Sequence, residues 1–473
     1  MDSSLALLPG QARSSSGRLR LDYAAVARLA FPFMLNSAVQ AVLNATDTWF
    51  IGHLSPTATA AIGAVYWPVL MFILLLGGVS LSVQTLVAQA YGGGRLARAS
   101  QATWTALWAS AFTLPAFVLL ACGGSILFSP FGIAAETQSL AIAYWLPRML
   151  TAPLGIALWS ILGFFNGIGR PLITLQVVTA VAVANALLNQ LFVLQMGLGI
   201  SGSAWATAAA QSLGVLLAVA KFLGAGIRAR YASHLTWRLR ARPLWQQVNL
   251  GIPMGLLYAA DIMGFALFQL MQVRLGTVDG AATQIVMMLT SFCYMPAVGI
   301  AMAGTTLVGQ AIGAGTPAWA GRLGNGIILL ATVYMAVSGL LLAMAGPWLL
   351  PWFLRASGES SAVAELGSRL LWIAACYQIF DGLSLGSGAC LRGAGDVRLP
   401  SLMVLVLSWG MFVPLAHALS FPPGGGWVGF LPQFGLGAIG GWFAALTYMC
   451  ALGLVLFGRW RSGAWRGVVL SLC

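Results

Sequence analysis

Charge is what this chain has least of. Only ten acidic residues occur among 473, and charged residues of either sign make up 7% of the sequence. A soluble domain carries about 25%, so most of this surface cannot face water. Histidine is nearly missing too. His53, His234 and His417 are the only three, and they show no HExxH, HxxxxD or other metal-ligand spacing. No GxxxxGK[ST] segment is present, so the chain holds no phosphate loop of an ATP-driven pump. Cys122, Cys293, Cys376, Cys390, Cys450 and Cys473 lack CxxC and CxxH spacing, and five of the six lie in or beside apolar stretches, where a thiol is a small hydrophobe. Strand-like alternation is missing, which argues against a β-barrel. The residues before Asp22 are polar and Arg-bearing, so no removable signal peptide is expected.

Apolar runs are what the chain has in abundance. Hydrophobic residues make up 59% of it, and mean hydropathy is +0.89. Stretches of about 20 apolar residues, each long enough to cross a hydrocarbon core of about 30 Å, recur throughout. The expected spans are 24–52, 58–90, 99–123, 135–164, 171–196 and 203–225, then 245–275, 281–312, 322–346, 359–391, 399–420 and 438–460. Pro32, Pro68, Pro115, Pro153, Pro253 and Pro296 are expected to kink or interrupt these helices. The net charge of +13 falls at every second loop. It includes Arg13, Arg18 and Arg20 before the first span, Arg95 and Arg98 after the second, Arg170 after the fourth, and Arg228, Arg230, Arg238, Arg240 and Arg242 in the middle. Arg322, Arg392, Arg398, Arg459, Arg461 and Arg466 continue the pattern. This is the positive-inside distribution of an even-numbered bundle with both termini cytoplasmic. It forms no contiguous basic stripe and so excludes nucleic-acid binding.

The chain is also doubled. Thr85–Gly94 reads TLVAQAYGGG, and 221 residues later Thr306–Gly315 reads TLVGQAIGAG. Leu29-Ala-Phe-Pro32 pairs with Leu250-Gly-Ile-Pro253, Asn166-Gly-Ile-Gly169 with Arg392-Gly-Ala-Gly395, and Gly197-Leu-Gly199 with Gly435-Leu-Gly437. Six spans per half give both halves the same orientation, so they are expected to be parallel repeats about an axis along the membrane normal. The fold expected is all-α and membrane-integral, with 12 transmembrane helices in two parallel-related six-helix lobes around a central cavity. Its divisions are a cytoplasmic segment 1–23, an amino lobe 24–225, a basic cytoplasmic linker 226–244, a carboxyl lobe 245–460 and a tail 461–473.

Three of the ten acids stand inside spans: Asp47, Asp261 and Asp381. An acid at the bilayer centre costs about 2.5–3.5 kcal/mol on insertion scales, so an idle one is disfavoured. Asp47 follows Pro32 by 15 residues, roughly 22 Å of helix, and Asp261 follows Pro253 by 8, about 12 Å. Asp381 comes four residues after Tyr377, on the same helix face. Asn185 and Asn189 share a face of the fifth span, and Thr207 lies in the sixth. A carboxylate, two amides and a hydroxyl are hard oxygen ligands suited to a proton or a small alkali cation. The two asparagines alternatively read as interhelical glue. Gln40, seven residues before Asp47, is a candidate cavity residue. The 18 Trp, 23 Phe and 17 Met can line a pliable surface for organic cations, although most serve packing or the lipid interface.

Asp47-Thr-Trp-Phe-Ile-Gly52, the doubled TLVxQAxGxG segment and Leu391-Arg-Gly-Ala-Gly-Asp396 resemble the signatures of the multidrug and toxic compound extrusion (MATE) family. The resemblance covers nearly the whole chain. Pro253 with Asp261, and Tyr377-Gln378 with Asp381, resemble its NorM-like branch, although many members carry Glu in the seventh helix. The resemblance implies an antiporter exchanging organic cations for inward Na⁺ or H⁺. Asp47, Asn185, Asn189 and Thr207 would form an amino-half cation or proton site, and Asp261, Tyr377 and Asp381 a carboxyl-half site. No cofactor is implied beyond the transported ion. Expected partners are small organic cations and the lipid bilayer, for a monomer in a bacterial inner membrane. Two rival functions compete with this reading. A lipid-linked saccharide flippase needs basic residues in its cavity, for which Arg148, Arg274 and Arg369 are the candidates. An integral membrane enzyme would need a catalytic motif that the histidines do not form.

Overall fold

A computed structural model describes residues 10–13, 19–129, 135–353 and 360–468. Arg18 and Cys473, with parts of the 1–23 segment and the 461–473 tail, lie outside the described residues. The chain is an all-α membrane protein, with twelve long helical spans among the described residues. The first four spans run α1 (Tyr23–Gly52), α2 (Pro56–Gly92), the broken helix α3–α4–α5 (Leu96–Phe112, Leu114–Cys122, Gly124–Phe128) and α6 (Ala135–Gly167). Next come α7 (Pro171–Asn189) with a π-helical extension Gln190–Gln195, α8 (Gly199–Phe222) and the short α9 (Ala225–Tyr231). The second half has α10 (Ala241–Leu275), α11 (Thr277–Gly313), α12 (Pro317–Phe353) and α13 (Ser360–Ala394). It closes with α14 and α15 (Arg398–Leu407, Val413–Ser420), joined through a π segment Ser408–Phe412, and α16 (Gly437–Arg461).

Eleven spans among the described residues are long and apolar enough to cross a membrane. The twelfth, α13, is less apolar because Tyr377, Gln378 and Asp381 interrupt its middle. Of the flagged prolines, Pro32, Pro68, Pro153, Pro253 and Pro296 lie inside unbroken helices. Pro115 instead marks a real interruption, at the start of α4 after Thr113. A two-stranded hairpin, β1 (Gln11–Arg13) with β2 (Leu19–Leu21), was not signalled by the sequence pattern.

The repeats recur in the backbone. Gly197 and Gly199 have φ of +66° and +60°, and their counterparts Gly435 and Gly437 have +70° and +60°. Residues with a Cβ rarely adopt these angles, so the Gly-x-Gly spelling before the last helix of each half is a geometric demand. The connection from α15 to α16 is pinned by His417, whose Nε2 accepts the backbone N–H groups of Trp427 and Val428 at 3.0 and 3.2 Å.

The chain packs as two compact units. One holds Ala260–Gly304 and Ala318–Val469 with the start of the chain up to Ala27; the other holds Arg28–Ala259 and Thr305–Pro317. These units divide the chain differently from its sequence halves, because the first part of α10 and the end of α11 pack with the amino-half helices. Glycine makes this possible. A Cβ on Gly78 of α2 would stand 2.3 Å from the carbonyl oxygen of Gly251 in α10, and one on Gly251 2.4 Å from Cα of Val79. Small residues that let backbones touch drive helix association in lipid, where apolar burial supplies little.

Within the Arg28–Ala259 unit, Phe164 at the centre meets Phe165, Phe222 and Tyr231 edge-on at 5.4, 4.9 and 5.2 Å. In the other unit Tyr448 stacks on Phe412 at 5.0 Å, and Phe268 packs against Phe412 and Trp442.

Candidate functional site

Seven of the ten acids divide into two groups. Asp22 accepts the Ala25 N–H at the start of α1, and Asp279 of α11 accepts the Ala438 N–H at the start of α16. Glu365 pairs with Arg369 on the surface, and Asp396 of the Leu-Arg-Gly-Ala-Gly-Asp turn pairs with Arg459 at 2.8 Å. Among the described residues, Asp47, Asp261 and Asp381 have no basic partner within ion-pair distance. These three are the acids left available for a functional site.

The structure brings Asp47, Asn185, Asn189 and Thr207 together. Asn189 Nδ2 donates to one Asp47 carboxylate oxygen at 2.8 Å, and the Thr207 hydroxyl stands 3.1 Å from the other. Asn185 Nδ2 donates to the Thr207 oxygen at 3.2 Å and lies within reach of the carboxylate. Asp47 is 9% exposed, Thr207 4% and both asparagines 0%. Helical spacing explains the pair: Asn185 and Asn189 are one turn apart on α7, and Asn189 Nδ2 also reaches the Asn185 carbonyl at 3.0 Å. The π-helical turn begins at Gln190, directly after Asn189. Such bulges are frequent at functional sites because they re-aim a helix within one turn. The side-chain oxygens of both asparagines are buried without a hydrogen-bond partner among the described residues. Three oxygen-bearing groups and a carboxylate are thus gathered with acceptor capacity to spare.

Arg148 of α6 joins this picture. Its Nε is buried with no hydrogen-bond partner among the described residues, and its charge lies within electrostatic range of Asp47, Tyr66 and Tyr144. Arg148 stands in the middle of α6 (Ala135–Gly167), the span expected at 135–164. The other two flagged arginines are elsewhere. Arg274 ends α10 with its guanidinium 5.9 Å from the Trp427 ring, and Arg369 is engaged by Glu365.

In the second half the arrangement is different. Asp261 of α10 accepts a hydrogen bond from the Tyr448 hydroxyl of α16 at 2.7 Å. Asp381 and Tyr377 of α13 lie within electrostatic range of Asp261, and Tyr294 of α11 interacts with all three. Asp381 is 6% exposed. No hydrogen bond joins Asp261 directly to Tyr377 or Asp381 among the described residues, so the carboxyl-half set is a looser electrostatic group. Gln40 is exposed on α1, two turns before Asp47, and outside the Asp47 cluster.

Tyr448 was missed from sequence, and so was Tyr294. The repeat carried a weak signal for the first: Gly199 and Gly437 align Thr207 with Ala445, and Tyr448 stands one turn further along that face. Tyr448→Phe removes the one donor that the structure gives Asp261. A lost hydrogen bond to a charged group costs about 1.5–3 kcal/mol. The expected outcome is folded protein whose export rate falls on the order of tenfold, read as initial dye efflux from vesicles. An unchanged rate would detach Asp261 from Tyr448 in the working cycle.

Comparison with known proteins identifies the family. The MatE family model matches residues 32–191 and 253–417, one segment in each half of the chain. The chain belongs to the MatE family. This MatE chain is 31% identical over 455 residues to a probable multidrug resistance protein NorM of Burkholderia pseudomallei, covering 93% of each. It is 28% identical to a protein of the same description from Agrobacterium fabrum, covering 88% of this chain and 92% of the relative. Its fold matches an outward-facing multidrug resistance MATE family transporter of the MOP superfamily with a TM-score of 0.81 at 20% identity, over 94% of this chain and 96% of the other. A MOP superfamily transporter from Pyrococcus furiosus matches with a TM-score of 0.79 at 19% identity, over 94% and 96%. This MatE chain is accordingly a member of a multidrug efflux transporter family, multi-pass in the membrane.

Proposed function

We propose that this MatE protein is a secondary active antiporter that exports small organic cations in exchange for Na⁺ or H⁺ by alternating access of two lobes. One observation carries the reading: Asp47 is buried with Asn185, Asn189 and Thr207 around it, and two amide oxygens of that set are unpaired. An unsatisfied buried acceptor costs about 1–3 kcal/mol. A Na⁺ ion, or a proton on the carboxylate, answers that cost and neutralises the charge at once. Burial disfavours the bare carboxylate, so the site works best when it always holds some positive charge. Arg148 supplies a resident one in part, and an incoming cation supplies the rest. Competition between coupling ion and substrate for that negative charge couples the two flows.

The NorM naming of the relatives supports multidrug substrates. The positive-inside pattern supports a bacterial inner-membrane placement with both termini and the 226–244 linker cytoplasmic. A monomer suffices, since each site lies within one chain. Asp261, Tyr377 and Asp381 form the second, carboxyl-half coupling group. A saccharide flippase is less well supported, because one buried arginine beside an acid makes no clamp for a pyrophosphate.

The test uses purified protein in liposomes with an encapsulated fluorescent organic cation. Na⁺ and H⁺ gradients are imposed separately, and a third set of vesicles has neither. Dye moving against its own gradient with one ion, and not in the third set, is the expected result. Equal movement in all three sets excludes antiport.

A further inference from the structure

The segment joining α9 to α10 reads Leu235-Thr236-Trp237-Arg238-Leu239-Arg240, and its side chains alternate in character. Leu235, Trp237 and Leu239 are 67%, 50% and 40% exposed. Leu235 also lines, with Thr236, Arg238 and Arg240 and with Ala97, Arg98 and Gln101 of α3, a cavity of about 280 Å³. The backbone turns at Leu235 and bends at Arg238, and it presents apolar and basic side chains next to one another.

This segment is strapped down. The Ser100 hydroxyl donates to the Tyr231 carbonyl at 2.6 Å and meets the Thr236 hydroxyl at 3.0 Å. The indole N–H of Trp104 donates to the Ser233 carbonyl at 2.6 Å, and that of Trp108 to the Trp237 carbonyl at 2.8 Å. One face of α3 therefore holds four successive points of the linker, and the arginines stand on a fixed frame. Their charge is unanswered. Between Asp47 and Asp261 the chain has a single acid, Glu136, at the start of α6. Among the described residues no ion pair involves Arg98, Arg238 or Arg240.

We propose that this cavity is a binding site for the phosphate headgroup of an anionic phospholipid. Guanidinium groups present forked donors that match phosphate oxygens. Basic pockets beside transmembrane helices on the cytoplasmic side are suited to anionic headgroups. The exposed Leu235, Trp237 and Leu239 decide for a lipid over a free phosphate. A tryptophan flanked by leucines settles at the headgroup level, so acyl chains find an apolar surface beside the arginine pocket. The proposal rests on the cytoplasmic placement of the linker, but not on which ion or substrate the transporter uses.

Native mass spectrometry of the delipidated full-length protein reads this directly, with phosphatidylglycerol and phosphatidylcholine of matched acyl chains. The wild type is expected to retain one phosphatidylglycerol selectively at collision energies that strip phosphatidylcholine. Arg98→Gln/Arg238→Gln/Arg240→Gln is expected to weaken that binding on the order of a hundredfold, from about 1 kcal/mol per juxtamembrane arginine. A control with equal charge loss, Arg322→Gln/Arg398→Gln/Arg461→Gln, keeps it. Equal retention of the two lipids by the wild type, or equal retention by the two triple variants, overturns the proposal. Displacement of the bound lipid by inorganic phosphate at matched concentration reassigns the cavity to free phosphate and overturns it too. Should the triple variant elute as aggregate, Arg98→Gln alone gives the same comparison with a smaller shift. Because bound lipid is counted without any ion gradient, a failure here leaves the antiport reading untouched.

Discussion

Asp47→Asn is expected to reach the membrane at normal abundance and to move no dye beyond passive leak. The substitution keeps the shape of the side chain. Asn189 can still donate to the amide oxygen that replaces one carboxylate oxygen. The new amide nitrogen faces the Thr207 oxygen, which is free to accept because its own hydrogen can go to the Ser203 carbonyl at 3.0 Å. Rearranging these bonds costs about 1 kcal/mol, too little to unfold a helix bundle. The charge, however, is gone. Removing one partner from a buried ion pair costs about 3–5 kcal/mol, so cation occupancy falls on the order of a hundredfold or more. The measurement is gradient-driven efflux normalised to extractable protein, with Asp47→Glu alongside to separate charge from reach. Normal export by Asp47→Asn would remove this carboxylate from the mechanism.

The repeat explains why Asp47 stands without a twin. Pro32 and Pro253, like the two TLVxQAxGxG copies, are related by an offset of 221. That offset carries Asp47 onto Phe268 and Asp261 back onto Gln40. Aligning Asn166-Gly-Ile-Gly169 with Arg392-Gly-Ala-Gly395 carries Asn185 and Asn189 onto Met411 and Leu415, and Asp381 back onto Gly155. Each half has apolar or uncharged residues where the other has its site. In the second half the position of Asp47 is occupied by a ring packed on Phe412 and Trp442. The doubled scaffold thus carries its intramembrane acids at non-equivalent positions in the two halves. Gln40 is the repeat counterpart of Asp261, and it is exposed on α1.

Much of this was legible from sequence, for definite reasons. Hydropathy and the Gly and Pro positions marked the helices to within a few residues, because a bilayer tolerates few alternatives for backbone polar groups. The Asp47 cluster was legible because acids are so scarce here and because Asn185 and Asn189 are spaced by one turn. Tyr448 was not, since a lone tyrosine in an apolar helix looks like packing until its hydroxyl is seen against Asp261. Arg148 stood in the middle of the expected 135–164 span, but nothing in the sequence says that its charge acts on Asp47. The strapped linker was hidden because its backbone is irregular, with a turn at Leu235 and a bend at Arg238. Only the straps from Ser100, Trp104 and Trp108 reveal where its arginines stand. Nor could a repeat offset say that the two copies of the glycine-rich segment touch one another.

That contact yields the second large effect. Gly92 ends α2 and Gly313 ends α11, at the same place in the two copies. A Cβ on Gly92 would lie 1.9 Å from the Gln310 carbonyl oxygen, and one on Gly313 2.0 Å from the Gln89 carbonyl oxygen. Both obstacles are backbone, so no rotamer change gives relief and the helix ends must separate. Separation also strains the bonds beside the crossing. Gln84 donates to the Thr306 hydroxyl at 2.9 Å, Thr306 to the Asn166 carbonyl at 3.0 Å, and Gln310 to the Gly167 carbonyl at 2.9 Å. Overpacking alone costs about 1–3 kcal/mol, and each hydrogen bond lost adds about 0.5–1.5 kcal/mol. Gly313→Val is therefore expected to leave almost no monodisperse protein, and Gly313→Ala to lower the thermal midpoint by several degrees in detergent. Gly458→Ala in α16 is the matched control, since a Cβ there meets nothing within 4 Å and alanine favours a helix interior over glycine by about 0.5–1 kcal/mol. Equal midpoints for the two alanine variants would mean that the doubled segment is not a clasp. Its identical residues would then need another explanation than the crossing they form.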